Sequence, residues 1–383
     1  MKKSIFGALT KSASVAAVTA AMLVGISTSA FAASTVGTPI TTTSTNENVY
    51  GSTTNSTKTI QAVLGYNSDS LELVYLADHT SVTVTDTNGL LNGPMFAVWS
   101  KDNSKLYIPN YGDDQIVVVD VATKTVTGSF TGANSEGING IVSPDGSKLI
   151  VTDNYGNVTA YDLTDNYAEL WSSATTDPYV VNLYSTDATH VLLVGMGYLE
   201  TLDITTGVVS DTRSVSNGDY GFCINSDSSV LATSDGGSSV YLINTATGAT
   251  TTSADLGAQS ISGCEFTNKG QLVVADWSYS NSGTGHIYIL DASTLSILET
   301  LETPNVEYTT GVNIMKNCET FVAGYNANVA VVTLDSAYCT PIEDTAAPVL
   351  AATGTDSGAT TWLAFGMLVA GALAAFATRR KTA

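Results

Sequence analysis

The residues of this 383-residue chain that could do chemistry are few and scattered. Three histidines, His79, His190 and His286, share no motif, and Arg213 is the single arginine away from the chain ends. An imidazole works as a general base or metal ligand only beside an orienting or co-ligating partner. No G-x-S-x-G, H-E-x-x-H, phosphate loop or EF-hand loop supplies one. This is a poor inventory for hydrolysis or redox work, and no metal site is expected from it. Binding is easier to build. Tyr111, Asp113, Asp114, Tyr155, Tyr198, Trp277, Tyr279 and Tyr325 fall at or beside turn-like stretches rich in Gly, Asn and Asp. Aromatic faces with acidic or amide neighbours suit stacking on a sugar or contact with a protein. Ordinary hairpin packing is the plainer reading of each ring. No cofactor is required, although Asp113 and Asp114 have the oxygen chemistry for calcium.

What must position these residues is a repeat. Residues 99–126 read WSKDNSKLYIPNYGDDQIVVVDVATKTV, and 142–163 read VSPDGSKLIVTDNYGNVTAYDL. Further copies occupy 226–248 and 268–295, weaker ones 185–207 and 316–335, and a first copy 68–86. Each opens on a polar turn, continues as an apolar strand, turns through Gly, Asn or Asp, and runs as a second strand to a closing residue. These closing residues are Asp86, Asp120, Asp162, Asp203, Asn244, Asp291 and Asp335. Their recurrence argues for a turn cap rather than a ligand site, since one site would not need seven copies. T-x-T or T-T-G then leads into a further strand. Four strands in about 42 residues, repeated seven times, predict an all-β chain folded as a seven-bladed β-propeller over residues 60–343. In that fold the hairpins between second and third strands share one face. Tyr111, Tyr155, Tyr198, Tyr325 and the long turn holding Trp277 and Tyr279 are therefore expected together.

The stretches SPDGSKLIVTDNYGNV and KLYIPNYGDDQIVVVD resemble the YVTN-type repeat propellers, the group that includes YncE-like proteins and is related in fold to bacterial lactonase propellers. The tetrad itself reads YIPN at 107–110 and IVTD at 150–153. The resemblance implies the blade architecture and says little about a ligand.

Ring closure is open at this stage. Residues 60–66 are expected as the inner strand of the first blade. The Ser/Thr-rich stretch 33–59 is expected as a linker, with closure supplied either by part of it or by 336–343. Four cysteines in an exported chain suggest disulfides, and three pairings exist. Aligning the blades puts Cys223 and Cys264 on inner strands of neighbouring blades, one residue out of equivalent register, hence on faces that meet. Cys318 and Cys339 flank the last blade on one side of the ring. Cys223–Cys264 and Cys318–Cys339 are therefore favoured, with four buried thiols as the alternative.

The ends carry addresses. Lys2, Lys3 and Lys11 precede an uncharged stretch from Ala13 to Ile26, and Ala30-Phe31-Ala32 follows, so 1–32 read as a cleavable signal peptide. Residues 344–383 hold a short linker, Leu350-Ala351-Ala352-Thr353-Gly354, an uncharged run from Trp362 to Ala377, and Arg379, Arg380 and Lys381. The run is short for a comfortable spanning helix, and the basic tail holds its end in the cytoplasm, as in a transient stop. The pentapeptide resembles the LPxTG-type sorting signal in its LAxTG form, common in actinobacteria, with Ala351 where the commoner form has Pro. The resemblance implies a sortase as partner, cleavage after Thr353, and a peptidoglycan link through Thr353 in a Gram-positive cell wall.

Removing both ends leaves 34 of the 35 acids (Asp356 goes) and 8 of the 14 basic residues, a net charge of −26. Such a surface repels nucleic acid and anionic membranes and attracts cations or basic partners. Together these features predict a wall-anchored binding or adhesion module for an external protein or glycan. A passive surface coat and an extracellular lactonase-like hydrolase are the alternatives.

Overall fold

The computed structural model describes residues 33–42, 49–132, 136–215, 220–258, 260–276, 284–306, 309–326 and 328–343. The signal peptide, the sorting motif Leu350–Gly354 with its hydrophobic run and basic tail, and Trp277 and Tyr279 lie outside these residues. The described chain is all β and forms seven separate antiparallel sheets, the blades of a propeller.

Blades 1 to 6 each run inner, second, third, outer in chain order: 49–83, 98–131, 137–174, 180–214, 220–255 and 261–304. Inner strands abut those of neighbouring blades around the axis. Second and third strands are near-continuous apolar runs, as in Lys148–Asp153 (KLIVTD) and Asn157–Asp162 (NVTAYD), because both of their faces meet another blade. Outer strands meet one neighbour and water, and so alternate: Glu169–Ala174 and Thr250–Asp255 expose every second residue or more. Burial therefore falls into seven apolar clusters, each made by two adjacent blades, and the seventh joins blade 7 back to blade 1 through Val49, Val63, Val74, Phe321 and Val331.

The closing blade corrects the expected layout of the first 60 residues. Its inner, second and third strands are Thr309–Ile314, Glu319–Gly324 and Asn328–Thr333. Its outer edge is N-terminal: Thr35 and Val36 pair with Thr333 and Val332, and Ile40 and Thr41 pair with Val329 and Asn328. Part of the stretch read as a linker thus closes the ring, and the segment 336–343 forms no strand. The same stretch also supplies the inner strand of blade 1, Val49–Thr54. Residues 60–66 are not that inner strand, because Ile60–Gly65 is the second strand. The copy at 68–86 is accordingly the third strand (Ser70–Tyr75) and outer strand (Ser81–Thr83), one place later than its pattern suggested. Thr and Val are strong strand formers even where Ser and Asn dilute them, and every hairpin of a propeller has the same polar–apolar grammar, so a one-strand slip leaves the pattern intact.

Two disulfides join Cys223 to Cys264 and Cys318 to Cys339, each with Cα atoms 5.7 Å apart. The first staples the inner strands of blades 5 and 6. The second ties the first turn of blade 7 to the chain just after that blade's third strand.

A candidate ligand face on blades 1 to 3

Strand direction puts two kinds of connection on one face of the ring: the second-to-third hairpins and the outer-to-inner links. Three consecutive blades present a tyrosine there. Tyr66 and Tyr111 meet edge to face at 5.8 Å between centroids. Tyr155, 60% exposed, extends the row onto blade 3. The cluster has an organiser that the sequence did not mark, Glu136, in the link between blades 2 and 3. Its Oε2 accepts from Asn154 Nδ2 at 2.8 Å and its Oε1 accepts from the Tyr155 hydroxyl at 3.2 Å. Asn154 Nδ2 also lies 3.5 Å from the Tyr111 hydroxyl. Partial burial, then the Glu136 charge, hold the Tyr111 phenol above its ordinary value. Glu136 takes a left-handed backbone (φ 65°), which a non-glycine residue adopts at some cost and which here turns its carboxylate toward both neighbours.

Beside this row lies a narrow cleft between blades 2 and 3, lined by Asn110, Asp113, Asp114, Gln115, Asp153 and Asn157 among others, with an accessible volume of about 20 Å³. Asp113 is committed to the fold, accepting from Asn110 Nδ2 at 3.0 Å, Gln115 N at 2.9 Å and Asn92 Nδ2 at 3.1 Å. Asp153 likewise accepts from Tyr155 N at 2.9 Å and from Asn157 N and Nδ2, both at 2.8 Å. Asp114 is exposed, and its backbone carbonyl accepts from Gly132 N. Gly137 begins the inner strand of blade 3 against Pro109, where a Cβ would sit 2.5 Å from the Pro109 Cβ, so no side chain fits there without a shift.

Of the expected face residues, Tyr111, Asp113, Asp114 and Tyr155 thus come together. Tyr198 opens the third strand of blade 4 and Tyr325 lies in the hairpin of blade 7, both half-buried. Glu136, Asn154 and Tyr66 join the cluster unforeseen. Tyr66 had the signal, being the blade 1 equivalent of Tyr111, but the one-strand slip hid it.

The histidines do not converge. His79 sits in the turn from third to outer strand of blade 1 and pairs with Glu319 of blade 7 at 2.8 Å. His190 lies 3.0 Å from Asp187 within one turn, and His286 lies 3.3 Å from the buried Asp276. Among the described residues no three His, Cys, Asp or Glu are grouped as a metal site.

A second concavity, about 460 Å³, lies among the inner strands of blades 1 to 4, lined by Ser52, Phe96, Trp99, Asn139, Asn182 and Leu183 among others. Lys101, bonded to the Pro144 carbonyl at 2.6 Å, is the single ionisable side chain in its lining. That lining offers shape and amide bonds but no acid–base pair. Elsewhere around the axis, Glu265 holds Lys58, and burial, then Glu265, raise the Tyr184 phenol.

No known family matches the sequence, and no curated protein does. Solved structures do. A chain of hydrazine synthase from Kuenenia stuttgartiensis superposes with a TM-score of 0.63 at 16% identity, covering 79% of this chain and 99% of its own. A chain of a mitotic checkpoint complex gives 0.61 at 14% identity, covering 87% and 99%. At such identity the likeness is one of architecture, and what it establishes together with the seven closed sheets is a seven-bladed β-propeller.

Proposed function

We propose that this protein is a cell-surface binding module that presents the tyrosine–carboxylate face of blades 1 to 3 to an external protein or glycan. The observation that carries the reading is the polarity of the ring. The chain leaves blade 7 on the face opposite the tyrosine row, where Asn268 Oδ1 accepts from Thr340 N at 2.9 Å, Asn268 Nδ2 donates to the Thr340 carbonyl at 2.6 Å, and Lys269 donates to the Ser336 carbonyl. Thr340 is thus held at the face away from the tyrosine row. The signal peptide, the LAATG motif and the basic tail support sortase attachment through Thr353 to the wall of a Gram-positive, LAxTG-using bacterium. The YVTN-like repeats support a scaffold on which loops, not strands, set the ligand.

Fractionation and binding test this together. Wild-type protein should resist extraction from walls by hot detergent, and Thr353→Ala should move it to membrane or medium. Full-length protein on an array of glycans, wall polymers and matrix proteins, with and without calcium, should give a saturable hit that Tyr155→Ala weakens. A Thr353→Ala protein still linked to the wall ends the sortase reading. A flat array from abundant, folded surface protein moves the function to a passive coat.

A further inference from the structure

Where the N-terminal edge closes the ring, Ser34 is buried between two acidic residues from different blades. Its N–H donates to Glu299 Oε1 at 3.1 Å, from the outer strand of blade 6. Its hydroxyl accepts from Asp335 N at 3.1 Å, just past the third strand of blade 7. Each carboxylate keeps one oxygen unused: Glu299 Oε2 and Asp335 Oδ2 are both buried and accept no hydrogen bond among the described residues. Asp335 is only 5% exposed, and its other oxygen is taken by Ala337 N at 2.5 Å. Burial, then Glu299, then Asp335 raise the Tyr338 phenol, so one side chain feels both charges.

A buried carboxylate oxygen without a donor is costly. Among the described residues no cation answers either one. Lys269 reaches this corner but donates to the Ser336 carbonyl, and the ion pairs of the ring include neither Glu299 nor Asp335.

A cation can arise one residue away. Ala33 directly follows Ala30-Phe31-Ala32, the cleavage signal. One residue spans at most about 3.6 Å, which puts the Ala33 nitrogen within about 7 Å of Glu299 Oε1. In the precursor that nitrogen is an amide, with one N–H and no charge. A signal peptidase adds water across the Ala32–Ala33 bond. The C–N bond breaks, Ala32 leaves as a carboxylate, and the nitrogen of Ala33 becomes an ammonium with three N–H donors. An α-amine ordinarily titrates near about 8, so it is largely charged at neutral pH.

We propose that Glu299 and Asp335 form a binding site for the mature α-ammonium of Ala33, so that removal of the signal peptide latches the N-terminal edge onto blades 6 and 7. The inference rests on the export reading, with cleavage after Ala32. Position makes the latch effective. Thr35 and Val36 pair with blade 7 immediately after it, and Val36, Leu301 and Tyr338 pack on one apolar cluster between blades 6 and 7. The precursor has the same strands for closing the ring but lacks the ion pair. Export thus ends by tightening the seam that holds the propeller shut.

The test compares two exported proteins: the wild type, and a form with Gly-Ser inserted between Ala32 and Ala33, which keeps the cleavage signal and moves the amine away. N-terminal sequencing should give Ala33 as the first residue of the wild type. Hydrogen exchange of residues 33–42, read by mass spectrometry, should be roughly three- to tenfold faster in the inserted form. Glu299→Gln, which keeps an acceptor for the Ser34 N–H, should speed exchange by a similar factor in the wild type and add little in the inserted form. Equal exchange with and without the insertion overturns the inference. So does a loss from Glu299→Gln that is the same in both forms, which would assign that residue to the Ser34 amide alone. A first residue other than Ala33 overturns it together with the cleavage reading, whereas a start at Ala33 with equal exchange leaves that reading standing.

Discussion

Aspartates at the strand ends hold their turns through bonds made within a few residues. Asp120 accepts from Thr123 N at 2.8 Å, Asp203 from Thr205 N at 2.8 Å and Thr206 N at 3.0 Å, and Asp291 from the backbone and hydroxyls of Ser293 and Thr294. A parallel set sits between first and second strands, where Asp102 takes bonds from Ser100 and Ser104, and Asp145 from Ser143 and Ser147. Donors aimed at the carboxylate favour its charged form. Asp102 and Asp291 are held down to about 2, with side-chain bonds from Ser100 and Ser293 the largest causes, and Asp187 to about 2, chiefly by the Thr189 N–H. Because the folded values lie below the ordinary 3.8, the unfolded chain binds protons first as pH falls. The contribution is therefore whole above about pH 4 and is lost as pH drops through about 2. Scanning calorimetry should show a thermal midpoint that falls chiefly between about pH 4 and pH 2. Replacing Asp102 and Asp291 together by Asn should lower the midpoint at pH 7 and flatten that acid fall. A fall of the same steepness in the double variant would show that other carboxylates govern it. These caps were legible in the sequence, because a recurring Asp followed by Ser or Thr names both partners of the bond. Glu136 was not, because its partners Asn154 and Tyr155 come from a different turn and meet it only once two blades are packed.

At the scale of the element, the inner strands carry the geometry. Six of the seven inner strands shift register near their first residues, as between Val49 and Gly51, Gly137 and Asn139, and Thr309 and Gly311. An extra residue there tightens the twist where the strands crowd the axis. Glycine often sits at the shift because a neighbour's backbone is too close for a side chain. At Gly51 a Cβ would lie 2.1 Å from the Met95 carbonyl of the segment entering blade 2. Gly51→Ala should therefore destabilise the protein by about 1–3 kcal/mol, as overpacking does, measured by urea unfolding. At Gly89 nothing lies within 4 Å of an added Cβ, but its positive φ would strain any side chain, so it is no neutral control. Gly128, with open space and ordinary φ, is the proper one, and its alanine variant should lie near wild type. Equal losses at both sites would remove the close-approach explanation. Period and turn chemistry located the second and third strands of blades 2 to 7, since strands buried on both faces are the most apolar. They misplaced blade 1, whose inner strand, VYGSTT, has the composition of a linker and is a strand only because blades 7 and 2 flank it.

For the whole molecule, the order of the closing blade matters most: its outer edge comes from the first residues of the described chain and its other three strands from the last. No local pattern could announce this, because the pairs Thr35–Thr333 and Ile40–Val329 join segments about as far apart in sequence as the ring allows. Entropy lost in closing so long a loop grows only slowly with its length, and the cluster around Phe321 is as apolar as the other six. The disulfides add to this by restricting the unfolded chain, about 3–4 kcal/mol each in the chain-entropy treatment.

The Cys318–Cys339 bond also has a mechanical meaning. Tension entering from the C-terminal side reaches Cys339 and crosses directly to Cys318, so its covalent path bypasses the second and third strands of the last blade, which lie between them. The third strand, Asn328–Thr333, is the one that pairs with the N-terminal edge, so a pull from the C-terminal side does not load that pairing through the backbone. In an optical trap, with the molecule held by both ends, reduction should lengthen the fully extended chain by roughly 70 Å for the 21 residues released from this loop. It should also let blade 7 peel at lower force than in the oxidised protein. An unchanged first rupture force after reduction would mean that the ring yields elsewhere. The bond makes the last blade a buckle whose strap is pulled from one side while its tongue stays slack.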